Sequence, residues 1–338
     1  MSAVEVFSRA LRAVRRPGPG DPEAPRLLVI RRNRMGDMIC TLPLLRALRR
    51  RFPRARITVA CDQAGVPIAQ ACSAVDRVIL LRRGWRLWTA PFGSPRQWQD
   101  FDGVLAVKAG FDRRLGWLAR LTNAARRIGY EDGPRSDFYT DPVPLPTELW
   151  NVHQIEATLG LLAPLGIAPP ADPVRDLTLD LPAPAVAFAE NLSSFWKESR
   201  LLLINLSSTT PIRVRDGDLA ALIRGYTGRD DIRVGLVALP RDLARARSLA
   251  EGSGARVLDT PGPLELAALI GRAHVLVTGE GGGAHLAAAM GRPAVVLWSE
   301  GPFEKWHSRG HGHTFVRLEP GEKWVPLDRL RAALAAYL

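Results

Sequence analysis

The chain has 338 residues, with 46 Lys and Arg against 34 Asp and Glu, a formal net charge of +12. At 46% hydrophobic and 24% charged it has an ordinary globular composition, which excludes a largely disordered chain, a collagen-like chain and a small disulfide scaffold. The charge admits three kinds of partner: nucleic acid, an anionic membrane surface or a polyanionic substrate.

Residues 1–16 have helical periodicity, with Val4, Phe7, Leu11 and Val14 on one face and Arg9, Arg12, Arg15 and Arg16 off it. The segment reads either as a helix packed on the body or as a basic amphipathic anchor on anionic lipid. The run from Pro17 to Pro22 breaks it, so residues 1–25 are set apart as a basic N-terminal helix and linker. RLLVIRR (26–32) reads as a buried strand, followed by a turn from Asn33 to Asp37 and a helix from about Met38 to Arg51. Further strands are predicted at 57–62, 77–81 and 104–108, a helix near 112–125, a loop over 131–150 and a helix over 152–165. Residues 26–165 therefore form a first domain of βαβ units on a parallel sheet.

The proline-rich stretch 166–184 is the best domain boundary, and with a helix near 184–195 it makes a connector over 166–200. A second alternation follows over 201–318. Its strands are expected at 201–206, 233–239, 255–260, 274–279 and 294–299. Its helices are expected near 217–228, 241–251, 264–273 and 283–290, and the tail 319–338 ends in an amphipathic helix. The fold class is α/β, with two facing Rossmann-like domains and a ligand cleft expected between them.

No uninterrupted apolar run reaches about 18 residues, so no bilayer-spanning segment is expected. The N-terminus lacks the apolar core of a secretory signal. Three cysteines (Cys40, Cys61 and Cys72) without a C-x-x-C spacing point to a reducing compartment and against structural zinc. Stacking-aromatic, zinc-finger and helix-turn-helix signatures are missing, which argues against a nucleic-acid partner.

Three places carry candidate chemistry. Met35-Gly36-Asp37 sits where the first strand gives way to a helix, the edge at which open α/β sheets place their sites. Asp37 reads either as an N-cap or as a carboxylate base, and Arg31, Arg32 and Arg34 beside it favour an anionic ligand. Gly279-Glu280-Gly281-Gly282-Gly283-Ala284-His285 follows a strand and opens a helix, so its bared N–H groups suit a phosphate. Glu280 there can bond a ribose hydroxyl, and the His285 imidazole can face the same ligand. The run Asn205 to Arg215, with Thr209 and Arg213, offers hydroxyls and guanidinium groups to a diphosphate. His307, His311 and His313 lack a carboxylate or Cys partner and read as loop residues; no metal site is predicted.

VIRRNRMGDMICTLPLLRALRRRFPRARITV and TGEGGGAHLAAAMGRPAVVLW resemble the heptosyltransferase family, glycosyltransferase family nine. NVHQIEATLGLLAPLGI and LPRDLARARSLAEGSG fit as well, and the resemblance spans about residues 26–310. It implies a GT-B fold and an inverting, metal-independent hexosyl or heptosyl transfer. The implied donor is a nucleotide sugar, typically ADP-heptose, and the acceptor the lipopolysaccharide core or a related anionic surface glycan. It implies that Asp37 is the general base and that Thr209, Arg213, Glu280, Gly281, Gly282, Gly283 and His285 hold the donor diphosphate and nucleoside. Arg31, Arg32 and Arg34 suit a carboxylate- or phosphate-bearing acceptor. Two departures fall in the donor region: Glu280-Gly281-Gly282 replaces the family's Asp-Thr-Gly, and Arg215-Asp216 stands in place of an aromatic-Pro pair. No resident cofactor is implied, and the expected location is cytoplasmic, with peripheral contact at the inner membrane. Two other classes remain open: a non-catalytic sugar-nucleotide or glycan binder of the same fold, and a nucleic-acid-binding protein.

Overall fold

The computed structural model describes residues 21–32, 34–81, 98–108, 110–131, 137–208 and 212–338. The helix expected over 1–16 and the candidate Thr209 lie outside them. The chain divides into two compact units, Met1–Asp176 and Leu177–Leu338. The division falls inside the proline-rich stretch.

The first unit runs β1 (Arg26–Arg31), α1 (Met35–Ile39), α2 (Leu42–Arg51), β2 (Arg56–Cys61), α3 (Val66–Gln70) and β3 (Arg77–Leu80). It continues with β4 (Gly103–Val107), α4 (Arg113–Leu121), β5 (Arg126–Glu131), β6 (Asp141–Pro144) and α5 (Gln154–Leu159). The strands form one parallel sheet in the order β3-β2-β1-β4-β5-β6. The order reverses between β1 and β4, where a doubly wound sheet opens its ligand crevice. There Arg31 pairs in register with Val107, so the two strands end side by side. Both are central and almost wholly buried, which is why they read as continuous apolar runs.

The second unit runs α6 (Ala183–Asn191), β7 (Arg200–Asn205), α7 (Asp216–Thr227), β8 (Ile232–Val237), α8 (Leu243–Ala250), β9 (Arg256–Val257) and α9 (Pro263–Arg272). It continues with β10 (Val275–Gly279), α10 (Gly282–Ala289), β11 (Ala294–Trp298), α11 (Phe303–Trp306), β12 (His313–Arg317) and α12 (Leu327–Ala335). Its parallel sheet has the order β12-β11-β10-β7-β8-β9, the same winding, and it reverses between β7 and β10.

The helix expected over 38–51 is two helices. Pro43 has no N–H for the carbonyl of Ile39 and its ring would clash there, so α1 stops at Ile39 and α2 starts with proline in its first turn. The Thr41 hydroxyl caps the break by donating to the Asp37 carbonyl at 2.8 Å. Residues 131–150, expected as loop, contain β6, and the loop expected around the three histidines ends in β12. Both are edge strands, and β6 carries Pro142 and Pro144, which only an edge tolerates.

His313 opens β12 as a structural residue. Its Nε2–H donates to the Arg292 carbonyl at 3.2 Å, and its Nδ1 accepts from the Ser308 hydroxyl at 2.8 Å. Burial pushes its imidazole down to about 4 from the usual 6.5. Below pH 6.5 the unfolded chain binds a proton here that the folded chain refuses until about pH 4, so stability rises with pH across that window. Urea unfolding of the full chain should show a loss of about 1–3 kcal/mol as pH falls through it, and His313→Gln should flatten the slope.

Candidate functional site

In the first unit the candidate base sits where β1 and β4 end. Arg31 is 2% exposed and Asp37 is 8% exposed. The Arg31 guanidinium donates from Nη2 to Asp37 Oδ1 at 2.5 Å, from Nε to the Asp37 carbonyl at 3.2 Å and from Nη1 to the Val107 carbonyl at 2.9 Å. One planar cation thus ties together the end of β1, the first turn of α1 and the end of β4. Asp37 Oδ2 accepts the Arg34 backbone N–H at 3.3 Å, which leaves that oxygen a lone pair for a further donor.

Arg31 was expected to meet an acceptor; its guanidinium is buried here, and three of its five N–H groups go to Asp37 and Val107. Arg32 lies 3.6 Å from the Asp62 carboxylate, and Arg34 is exposed where α1 begins. Lys108 and Asp112, which the sequence reading did not single out, complete this edge. Lys108 follows the last residue of β4, and its Nζ donates to Asp112 Oδ2 at 2.8 Å. The other Asp112 oxygen caps α4 by accepting from the N–H groups of Arg114 and Leu115. Burial alone would raise the Asp112 carboxyl, but the Lys108 ammonium and those two N–H groups outweigh it and hold it below the usual 3.8. The available signal was that Lys108 is one of only four lysines among 46 basic residues and directly follows a predicted strand.

In the second unit the glycine turn closes on the reversal of the sheet. Gly281 has φ +128°, a conformation that side chains other than glycine's rarely adopt, and it precedes the first residue of α10. The buried Asn205, at the end of β7, donates from Nδ2 to Thr278 Oγ1 at 3.1 Å and accepts the Ser207 N–H at 3.2 Å. Gly283 packs so closely on this pair that a Cβ there would lie 2.6 Å from Asn205 Nδ2 and 2.9 Å from Thr278 Oγ1. Gly283→Ala is expected to cost about 1–3 kcal/mol through overpacking, read as a lower urea midpoint with an unchanged slope.

The Glu280 N–H donates to the Leu297 carbonyl at 3.2 Å, which pins the turn to β11. His285 is buried in α10, and its N–H donates to the Gly281 carbonyl at 3.3 Å. Arg213 does not face the protein alone: its Nη2 donates to Glu300 Oε1 at 2.5 Å, just past the end of β11. Asp242 accepts from the Ser207 hydroxyl at 2.5 Å, which in turn accepts the Leu239 N–H at 2.8 Å.

The three cysteines are buried thiols outside any disulfide, and burial pushes the Cys61 thiol up to about 12. No group of three or more His, Cys, Asp and Glu that could hold a metal ion occurs among the described residues. Nor is any helix among them long and apolar enough to cross a membrane.

Two doubly wound units, each with its polar residues on the carboxyl edge where the strand order reverses, are the parts of a GT-B glycosyltransferase. The glycosyl transferase family 9 structure from Veillonella parvula matches with a TM-score of 0.78 at 18% identity, covering 93% of this chain and 97% of that one. E. coli heptosyltransferase WaaC with ADP-2-deoxy-2-fluoro heptose matches with a TM-score of 0.71 at 21% identity, covering 93% of this chain and all of that one. The lipopolysaccharide heptosyltransferase 1 of Salmonella typhimurium is 25% identical over 329 residues, 90% of this chain and 97% of the relative. The family model "Glycosyltransferase family 9 (heptosyltransferase)" matches residues 99–324. The chain belongs to that family.

Proposed function

We propose that this glycosyltransferase moves heptose from ADP-heptose to the lipopolysaccharide inner core, or to a related anionic surface glycan, with inversion at the anomeric carbon and without a metal. Asp37 takes the proton of the acceptor hydroxyl, and the oxygen attacks the anomeric carbon on the face opposite ADP. The bond from that carbon to the diphosphate oxygen breaks, and its electron pair leaves with ADP. Arg213, Thr209 and the N–H groups of the 281–283 turn offset the charge that develops there. Glu280 bonds the ribose and His285 supports the turn. Arg32, Arg34 and Lys108 meet the acceptor's carboxylates or phosphates. The acceptor's lipid anchor would bring the enzyme to the cytoplasmic face of the inner membrane.

The observation that carries this reading is the Asp37 carboxylate, clamped by a buried guanidinium at 2.5 Å on the carboxyl edge of its sheet. The relative from Salmonella supports heptose as the cargo and lipopolysaccharide as the class of acceptor. The ligand named for the E. coli structure supports an ADP-linked donor. A thermal-shift panel of ADP, UDP, GDP and their sugars tests it. ADP-heptose at 100 times its Kd should stabilise the chain by about 2.7 kcal/mol, and UDP or GDP ligands by far less. Stabilisation by UDP- or GDP-sugars alone would remove the donor assignment. A silent panel would favour a non-catalytic protein.

A further inference from the structure

We infer that the outer face of α4 in the first unit is a docking surface for an anionic lipid bilayer. Arg113, Arg114 and Arg120 meet the headgroups, and the rings of Phe111, Trp117 and Phe138 settle into the interfacial layer beside them. The inference goes beyond the proposed reaction and rests on it only for the choice of a bilayer among polyanions.

The pattern begins in the helix. RRLGWLARL (113–121) carries three arginines and no acid. Leu115, Leu118 and Ala119 are buried in the core of the first unit, so positions 113, 117 and 120 point away from the sheet. Arg113 and Arg114 are exposed and Arg120 is half-buried, and none of their guanidinium groups forms a hydrogen bond or ion pair among the described residues. The basic helix α2 differs, since its Arg49 and Arg50 are spent on Asp76 and Asp176. Two acids adjoin the α4 face: Lys108 holds Asp112 at 2.8 Å, and Asp137 is one charge set against the three arginines.

The rings say what kind of polyanion. Phe138 stacks on Phe111 with centroids 6.3 Å apart and meets Trp117 edge-on at 5.2 Å. Gly116 makes room for it, since a Cβ there would lie 2.7 Å from Phe138 Cδ2. Arg127 anchors the same residue by donating from Nε to the Phe138 carbonyl at 2.8 Å. All three rings are half-buried, so part of each stays at the surface. Rings seated on protein on one side and open on the other suit the headgroup layer, where arginine stems also pack. A nucleic acid or an acidic protein would answer the charges but offers the rings no apolar layer. A glycolipid acceptor, moreover, keeps its anchor in the bilayer, and α4 begins on the edge that holds Asp37. Asp112 caps α4, Lys108 ties Asp112 to the end of β4, and Arg31 joins that end to Asp37. Seating α4 on a bilayer therefore brings the edge that carries Asp37 to the membrane surface.

Flotation of the full chain with vesicles, without donor or acceptor, is the test. Vesicles of phosphatidylcholine with about 30% phosphatidylglycerol should bind it, and vesicles of phosphatidylcholine alone should bind it far more weakly. The triple variant Arg113→Gln, Arg114→Gln and Arg120→Gln should bind the anionic vesicles about 10²-fold less well, roughly fivefold for each arginine. Its urea midpoint should stay at the wild-type value, because no bond within the protein is lost. A control that removes three charges from the second unit, Arg224→Gln, Arg247→Gln and Arg331→Gln, should stay within about threefold of wild type, since charges far from the bilayer are screened. The native cysteines are buried, so a solvent-sensitive dye can be attached at Arg120→Cys or at Arg247→Cys. Only the first dye should shift to the blue on vesicles. Equal losses in the two triple variants, or a blue shift of both dyes, would give the binding to the overall charge of the chain and overturn the face. An α4 variant that binds like wild type, or a wild-type chain that ignores anionic vesicles, overturns it too. Tighter binding to a random DNA duplex than to the vesicles, lost in the α4 variant, would hand the face to nucleic acid instead. None of these results bears on the donor, which the nucleotide panel tests separately.

Discussion

Asp37→Asn is expected to lower kcat by about 10²- to 10⁴-fold, the usual worth of a positioned general base, while ADP-heptose binding stays near wild type. The amide has the shape of the carboxylate and can still accept from Arg31, but it cannot take the acceptor's proton. Asparagine also leaves the Arg31 charge buried without its counter-ion, so the variant will be less stable. Assays therefore belong well below its unfolding midpoint, with the folded fraction checked by circular dichroism. Asp37→Glu supplies the second arm. It keeps the charge and so most of the stability, yet moves the carboxylate by one methylene. Misplacement of that size is enough to cost about 10²-fold. A fall in kcat in both variants, with a stability loss mainly in the first, separates the chemical role of Asp37 from its structural one. If Asp37→Asn turns over at the wild-type rate, the carboxylate is only a cap for α1 and the base must be sought elsewhere.

What the sequence makes legible follows from how local each signal is. The Met35–Asp37 turn and the Gly279–His285 turn announce themselves because each follows a buried strand and carries its polar residues within a few positions. That the sheets are parallel is also readable, since strands buried on both faces show as apolar runs. The strands β6 and β12 are not, because Asp141-Pro142 and His313-Thr314 open them in place of an apolar run. The pairings that define the site are less local still. Arg213 meets Glu300 across 87 positions, and Arg31 reaches the Val107 carbonyl across 76. Nothing in RLLVIRR tells which of its arginines turns inward. Register decides it: Arg31 is the last residue of β1, opposite Val107 of β4, whereas Arg32 has already left the strand. The three arginines look alike in the sequence, and the fold gives them different work.

Arg31→Met should be among the most destabilising single changes in the first unit, with an expected loss of about 3–5 kcal/mol. Methionine fills the buried stem but leaves the Asp37 carboxylate, with a side chain only 10% exposed, without its cation. It also strips donors from the carbonyls of Asp37 and Val107. Arg31→Lys is expected to recover only part of the loss, because one ammonium cannot reach three acceptors that a planar fork spans. The double variant Arg31→Met with Asp37→Leu removes both charges together. It should regain much of what Arg31→Met loses, since a buried ion pair costs desolvation that an apolar pair of similar volume does not. It should also be inactive however well it folds. Urea unfolding of Arg31→Met, the single Asp37→Leu, the double variant and the wild type closes the cycle. A coupling energy near zero would mean that Arg31 and Asp37 do not act as a unit, and Arg31 could then no longer be the residue that orients the base. A coupling of about 1 kcal/mol or more, together with a folded but silent double variant, is what a carboxylate held in place for proton transfer requires. Stability and catalysis would then draw on the same 2.5 Å contact, and a more stable apolar replacement would be bought with the reaction itself.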